Sequence, residues 1–250
     1  EGIFNFKTLT DAENILSWLK TERPQKAVVI GAGFIGLDAA VILKEKGLEV
    51  EVVEIFDRVL SRMLDTEMSE YVIRKLHEKG IGVSLKERVA EIKGEKRAEA
   101  VVLESGKSLK SDIIIMATGV RPNLFIINGK LQTNEGIIVN EYLQSSVKNI
   151  FAAGDIVEFK DKITGKPKIN ALHPNATIQG RVAARNILGQ KERYSGSENL
   201  NIIKIFDLSA VSAGTMEGDV IRRFERDEYK KFYIKDKKIM GFQFVGSIGK

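Results

Sequence analysis

The chain has 250 residues, a net charge of +5, 43% hydrophobic side chains and no cysteine. That hydrophobic fraction is ordinary for a globular protein, and the length suffices for more than one core. The missing cysteines exclude disulfides, thiolate metal sites and a redox thiol within these residues. No apolar run approaches a membrane span, and no basic segment followed by an apolar stretch opens the sequence, so a cytoplasmic protein without a membrane span is expected.

Residues 1–8 read as extended. Thr10 is placed to cap a helix, with Glu13 completing a capping-box pattern. Ala12, Ile15, Leu16 and Leu19 share one face of that helix to about Lys20, and Arg23-Pro24 ends it. Strand 26–30 feeds a helix at 34–46, stopped by Gly47, and strand 48–54 leads to a helix at about 65–79, stopped by Gly80. Strand 82–86 and two short β runs, 89–94 and 98–104, precede the unbroken apolar strand 112–117, whose pattern suits a parallel sheet buried on both faces. After Gly119, residues 136–153 read as a strand, a loop and a second strand. A helix at 175–188 is expected to turn Ala176, Ile178, Val182, Ala183 and Ile187 toward a core. From residue 200 onward the chain is β-rich, with strands at 201–206, 208–213, 219–225, 229–235 and 238–245. Between Arg222 and Lys238, eight basic side chains face four acidic ones, a composition that suits solvated edge strands. There is no recognisable nucleic-acid-binding module.

The segment from Lys26 to Gly36 places a strand, a Gly31-Ala32-Gly33-Phe34-Ile35-Gly36 turn and a helix start in succession. Gly31 and Gly33 suit a tight turn and the close approach of a pyrophosphate. Gly36 suits close packing of helix on strand, and the helix N-terminus attracts phosphate. The next strand ends on Glu54, about 20 residues on, where an acid hydrogen-bonds ribose hydroxyls and repels a 2′-phosphate. NAD(H) is therefore expected in preference to NADP(H), although Arg58 and Arg62 lie close behind and soften the repulsion. The competing readings are an ordinary strand–helix turn and a strand-end carboxylate in water.

Four blocks resemble the NADH-dependent, FAD-containing pyridine nucleotide–disulfide oxidoreductase superfamily, NADH oxidases, rubredoxin reductases and nitrite reductase flavin subunits above all. They are Phe6 to Ala12, Gly31 to Ala40, Ala117-Thr118-Gly119-Val120-Arg121-Pro122-Asn123, and Ile150 to Asp155 followed by Gln179-Gly180. The fold class this implies is α/β. A linker and entry helix (1–24) would precede a Rossmann-like NAD(P)-binding domain with an antiparallel excursion (25–122). Part of an FAD-binding domain (123–192) and a β-rich interface segment (193–250) would follow. The resemblance implies hydride transfer from NADH to FAD and on to an acceptor. The alternative is a nucleotide-binding module without redox turnover.

By the same resemblance, Phe34 gates the contact of nicotinamide with flavin, or else is a packed core aromatic. Asp38 stands where relatives carry a glutamate facing the nicotinamide, one methylene shorter. Gly119 closes the dinucleotide site. Gly154 and Asp155 present a carboxylate to the ribityl chain of FAD, or else Asp155 is a turn or cap residue. The helix starting near Asn175 and Ala176 aims its N–H groups at the flavin pyrimidine edge, with His173 just before it. Ile35 belongs to the phosphate turn. The resemblance identifies no nucleophile and no metal ligand set. The GxGxxG expected for the ADP half of FAD is absent before Gly31, so the sequence reads as a fragment lacking that half. It is expected to act as a homodimer or with the missing half. The basic stretch near its end is either a solvated edge or a docking site for an acidic electron carrier, engaged through Lys230, Lys231 and Lys237.

Overall fold

The computed structural model describes residues 1–127, 129–225 and 228–247. In chain order the first region contains β1 (Ile3–Asn5), α1 (Leu9–Thr21), β2 (Lys26–Ile30), α2 (Phe34–Glu45), β3 (Glu49–Glu54), α3 (Thr66–Glu78), β4 (Ile81–Leu85), β5 (Val89–Lys93), β6 (Ala100–Leu103), β7 (Ser108–Lys110) and β8 (Ile113–Met116). Strands β1-β8-β2-β3-β4 form a five-stranded sheet, and every pair in it is parallel. Residues 3–5, in the segment expected to be linker and entry helix, thus supply an edge strand of this sheet.

Alternation along the strands divides the sheet's side chains between two cores. Ala27, Val29, Val50, Val52, Ile113 and Ile115 face the helices, whereas Val28, Ile30, Val53 and Ile114 face the antiparallel meander β5-β6-β7. Each fully buried Val or Ile contributes about 1.5–3 kcal/mol relative to exposure, so a strand buried on both faces is favoured to be apolar throughout. The meander has three strands, where two β runs were expected. Its third strand is only three residues long and owes its existence to pairing with β6.

The capping expectation at Thr10 is corrected. Thr8 caps α1: Asp11 N–H donates to Thr8 Oγ1 (3.1 Å) and Thr8 N–H donates to Asp11 Oδ2 (2.8 Å). Two cap patterns overlap in Thr8-Leu9-Thr10-Asp11, and the short carboxylate of Asp11 completes the earlier one.

The second region holds β9 (Ile137–Ile138), β10 (Val157–Lys160), β11 (Pro167–Lys168) and α4 (His173–Ile187) around a smaller core that includes Ile137, Val139, Leu143, Val157 and Val182. Strands β10 and β11 were not expected from sequence. They are joined by a turn in which Asp161 accepts N–H bonds from Ile163 (3.0 Å) and Thr164 (2.8 Å). The stretch 145–153 contributes only an isolated bridge, between Gln144 and Phe151, where a second strand was expected.

The inward face of α4 is also corrected. Asn175, Gln179, Val182 and Ala183 are buried, while Ile178 and Ile187 are 47% and 65% exposed. Two buried amides sit on the inner stripe because each has internal partners, so hydrophobicity alone misplaces the face by one residue.

The third region comprises β12 (Leu200–Ile205), β13 (Leu208–Gly214), β14 (Asp219–Glu225), β15 (Glu228–Lys235) and β16 (Lys238–Gly246), in the antiparallel order β12-β13-β16-β15-β14. All five match the expected strands to within a residue or two. One face inserts Ile203, Ile205, Leu208, Ala210 and Val245 into the same core as α2 and α3. Among the described residues no helix is long and apolar enough to cross a membrane.

Candidate functional site

Two groups of expected residues are brought together, one at the carboxyl ends of β2, β3 and β8 and one at the N-terminus of α4. In the first, Gly31 takes a φ of +110° and donates its N–H to Val53 O (2.8 Å). A Cβ at Gly31 would overlap the Ala117 carbonyl, and one at Gly36 would overlap the Gly31 carbonyl. Both glycines are therefore required by backbone packing. Gly33 differs. It is the N-cap of α2 in an ordinary extended conformation (φ −80°), and a Cβ there would meet nothing within 4 Å. Neither strain nor packing calls for a glycine at Gly33.

α2 has no side chain capping its N-terminus, so the first-turn N–H groups, including those of Phe34 and Ile35, carry no intrahelical partner and its positive end is open. Phe34 is half-buried, packed in part on the main core and in part accessible. Asp38 is exposed by area, yet nearby protein still desolvates its carboxyl enough to raise it above the ordinary value. Gly119, at φ +105°, lies two residues beyond the Ala117 carbonyl that abuts Gly31. The parallel pairing of β8 with β2 is what brings these sequence-distant turns to one edge.

Glu54 is 7% exposed at the end of β3. Its carboxylate accepts N–H bonds from Ala32 (2.7 Å) and Phe56 (3.0 Å), which ties the glycine turn to the next loop. A carboxylate has about four acceptor positions, so two remain. Of the two arginines behind it, Arg58 is bound to its own loop, through Leu64 O (3.3 Å), Ser61 O (3.4 Å) and Asp57 (2.8 Å). Arg62 is exposed.

In the second group Gly154 (φ +89°) donates to Gln179 Oε1 (2.7 Å), and Gln179 Nε2 donates to the Tyr194 hydroxyl (3.2 Å). Gln179 thereby pins the Gly154–Asp155 turn against the first turns of α4. This role was missed in the sequence, where Gln179 was only part of a matching block. Asp155 is exposed beside that turn, and Ala176 lies next to Gly154. The side chain of Asn175 points inward, away from the helix end. It is 4% exposed, and its amide bonds Asn170 O (3.2 Å), Glu198 O (2.8 Å) and Glu198 N (3.1 Å). What α4 offers outward is its uncapped, proline-initiated N-terminus. His173 is exposed there.

The basic hairpin is corrected in part. Lys231 is 2% exposed and paired with Asp65 and Glu67, so it cannot meet a partner. Arg222, Arg223 and Lys230 pair with Glu67, Glu225 and Glu228. Arg226 lies outside the described residues. No cluster of His, Asp or Glu suited to a metal occurs among the described residues.

The profile of the family described as pyridine nucleotide-disulphide oxidoreductase matches residues 1–180. The NADH oxidase of Methanocaldococcus jannaschii is 36% identical over 268 aligned residues, which cover 98% of this chain and 60% of that protein. The assimilatory nitrate reductase electron transfer subunit of Bacillus subtilis is 32% identical, with 98% of this chain and 32% of that protein covered. A solved NAD-dependent persulfide reductase from A. fulgidus superposes with a TM-score of 0.92 at 34% identity, over 99% of this chain and 50% of its own. The chain thus spans 32% to 60% of the length of these relatives.

Proposed function

Since the chain belongs to the pyridine nucleotide-disulphide oxidoreductase family, we propose that it forms the NADH-binding and flavin-facing part of an NAD(P)H:acceptor oxidoreductase. The observation that carries this reading is Gly33, a glycine demanded neither by its backbone nor by its neighbours, at the uncapped N-terminus of α2. Space kept clear of a Cβ beside unpaired N–H groups is what a pyrophosphate needs. Glu54, through its remaining acceptor positions, binds the adenosine ribose and disfavours a 2′-phosphate, so NADH is preferred. Gly119 lets the backbone pass close to the dinucleotide. Phe34 covers the nicotinamide end until the dinucleotide enters, and Asp38 lies on the same side.

The second group is proposed to receive the ribityl–flavin end of FAD. Asp155 accepts from the ribityl hydroxyls, and the α4 N-terminus, through the backbone N–H of Asn175, faces the pyrimidine edge; the Ala176 N–H is bonded to Leu172 O (3.0 Å) and donates no further. Donors held in place there favour the negative charge that reduction brings. When bound, the flavin supplies the hydride acceptor, and the protein supplies orientation and electrostatics. The ADP half of FAD is assigned to residues outside these 250. A cytoplasmic homodimer, or a complex with the FAD-binding half, completes the reading. An acidic electron carrier as partner now rests on Lys237 and its exposed neighbours, without Lys231.

Calorimetry with NADH tests the proposal. Saturable binding with a stronger affinity for NADH than for NADPH is expected. A folded sample that gives no heat with millimolar NADH overturns it. Flavin absorbance after mixing with FAD separates the redox reading from that of a nucleotide-binding module.

A further inference from the structure

Between Glu54 and α3 runs a loop that carries Arg58 and Arg62 past the carboxyl end of the parallel sheet. Its near end is bonded to the glycine turn. Leu60, in the left-handed region (φ +50°), donates its N–H to Ala32 O (2.9 Å), and Ala32 in turn donates to Glu54 (2.7 Å). Leu60 O accepts from Met63 N (2.7 Å) and Leu64 N (2.9 Å), which makes the loop one hydrogen-bonded unit.

Its far end, residues 63–65, is held by the C-terminal sheet. Gln243 Nε2 donates to Met63 O (3.1 Å), and Asp65 N–H reaches Gln243 Oε1 (3.4 Å). The Tyr233 hydroxyl lies 3.0 Å from Asp65 Oδ2 and 3.2 Å from Gln243 Oε1. Lys231 Nζ lies 2.5 Å from Asp65 Oδ2 and 2.7 Å from Glu67 Oε2. Asp65 also caps α3, accepting from Met68 N (3.0 Å).

A lysine is a poor choice here if stability alone is served. Its ammonium is desolvated, a cost that apolar packing avoids. It also stands beside the N-terminus of α3, where the helix dipole disfavours a cation. What the arrangement does provide is directional geometry at the end of the loop.

Resting on the dinucleotide reading of Gly31 to Glu54, we propose that Lys231, Tyr233 and Gln243 are positioning residues. Through the 58–65 loop they set the place of Glu54 and the glycine turn, and so couple the C-terminal sheet to the adenosine end of the nucleotide site. The chain of bonds from Gln243 through Met63, Leu60 and Ala32 to Glu54 is unbroken.

The test compares Lys231→Met and Gln243→Leu with the wild-type chain by calorimetry, using NADH and NADPH as separate probes, in samples checked for folding by circular dichroism. Released from its anchor, the loop should weaken NADH binding about three- to tenfold, a range typical of mutations that act through such couplings. NADPH should lose less, because Glu54 is then less firmly placed against the 2′-phosphate, so the NADH/NADPH affinity ratio falls. Unchanged affinities, or losses by the same factor for both nucleotides, overturn the proposal and leave Lys231 as a structural pair. Should Lys231→Met not fold, Gln243→Leu, which removes only neutral hydrogen bonds, carries the comparison. Wild-type protein that binds neither nucleotide would remove the dinucleotide reading itself, an outcome distinct from equal losses in the variants.

Discussion

The three glycines of the first turn have different physical reasons. Gly31 and Gly36 are held by backbone carbonyls that leave no room for a Cβ, whereas Gly33 stands in open space. Gly36→Ala is therefore expected to destabilise the fold by about 3 kcal/mol, as overpacking against backbone does, and urea denaturation measures it. Gly33→Ala should cost no more than about 1 kcal/mol of stability, as alanine in place of glycine at an N-cap does, but weaken NADH roughly tenfold, since about 1–3 kcal/mol is the usual cost of an extra methyl in a filled space. A Gly33→Ala variant that loses more stability than that yet binds NADH normally would reverse the assignment. Glu54 has two duties, because its carboxylate both bonds Ala32 and Phe56 and faces the proposed ribose position. Glu54→Ser should narrow or reverse the preference for NADH over NADPH. It should also cost about 1–3 kcal/mol of stability from the two N–H groups left without their acceptor. Direct binding of both nucleotides decides the first effect and thermal melting the second.

Among the elements, α3 and α4 show how polar side chains determine orientation. α4 turns Asn175 and Gln179 inward because each meets backbone or hydroxyl partners, and this rotates Ile178 and Ile187 outward. Gln179→Leu should leave Gly154 N–H unpaired and loosen the Gly154–Asp155 turn. About 1–3 kcal/mol of stability is at stake, readable by chemical denaturation. At α3, burial raises the Asp65 carboxyl. The Lys231 ammonium, the Met68 N–H and the Tyr233 hydroxyl together outweigh burial and hold it below the ordinary carboxylate value. Burial and the Asp65 charge push the Tyr233 phenol up, so it stays protonated and keeps its hydrogen to donate. A lowered carboxylate contributes stability that is fully present above its unfolded value, about 3.9. That stability is lost as pH falls through the lower folded value. Below about pH 4, the wild type should thus lose stability more steeply than Asp65→Asn, with Glu67 and Arg222 as the other charged groups near the pair. Parallel acid profiles for the two proteins would show that Asp65 is not the group responsible.

Taken whole, the molecule joins a parallel sheet, a smaller core around α4 and an antiparallel sheet that shares the main core with α2 and α3. The proposed flavin group comprises only a ribityl turn and a helix N-terminus, with no glycine turn for the ADP half. FAD mixed with these 250 residues should therefore be lost on gel filtration, whereas NADH binding persists. Stoichiometric FAD retained by the chain would contradict that division of labour. The parallel sheet, its glycine turn, the terminal acid at Glu54 and the five C-terminal strands were legible in the sequence, because each rests on a local pattern: an unbroken apolar run, a glycine spacing, a strict alternation. The capping residue of α1, the strands β7, β10 and β11, the inward face of α4 and the burial of Lys231 were not. β10, the inward face of α4 and Lys231 depend on partners distant in sequence, namely β9, Glu198 with Tyr194, and Asp65; β7 and β11 are very short strands that pair with their hairpin neighbours β6 and β10, and α1 turned on a choice between overlapping local caps. Sequence by itself determined most of the elements and the glycine placement of the β2–α2 turn, since period and glycine placement are properties of a short stretch. Only the tertiary structure decided which polar side chains were withdrawn from solvent to hold those elements in register, because a buried charge or amide is favourable only where the fold delivers its partner.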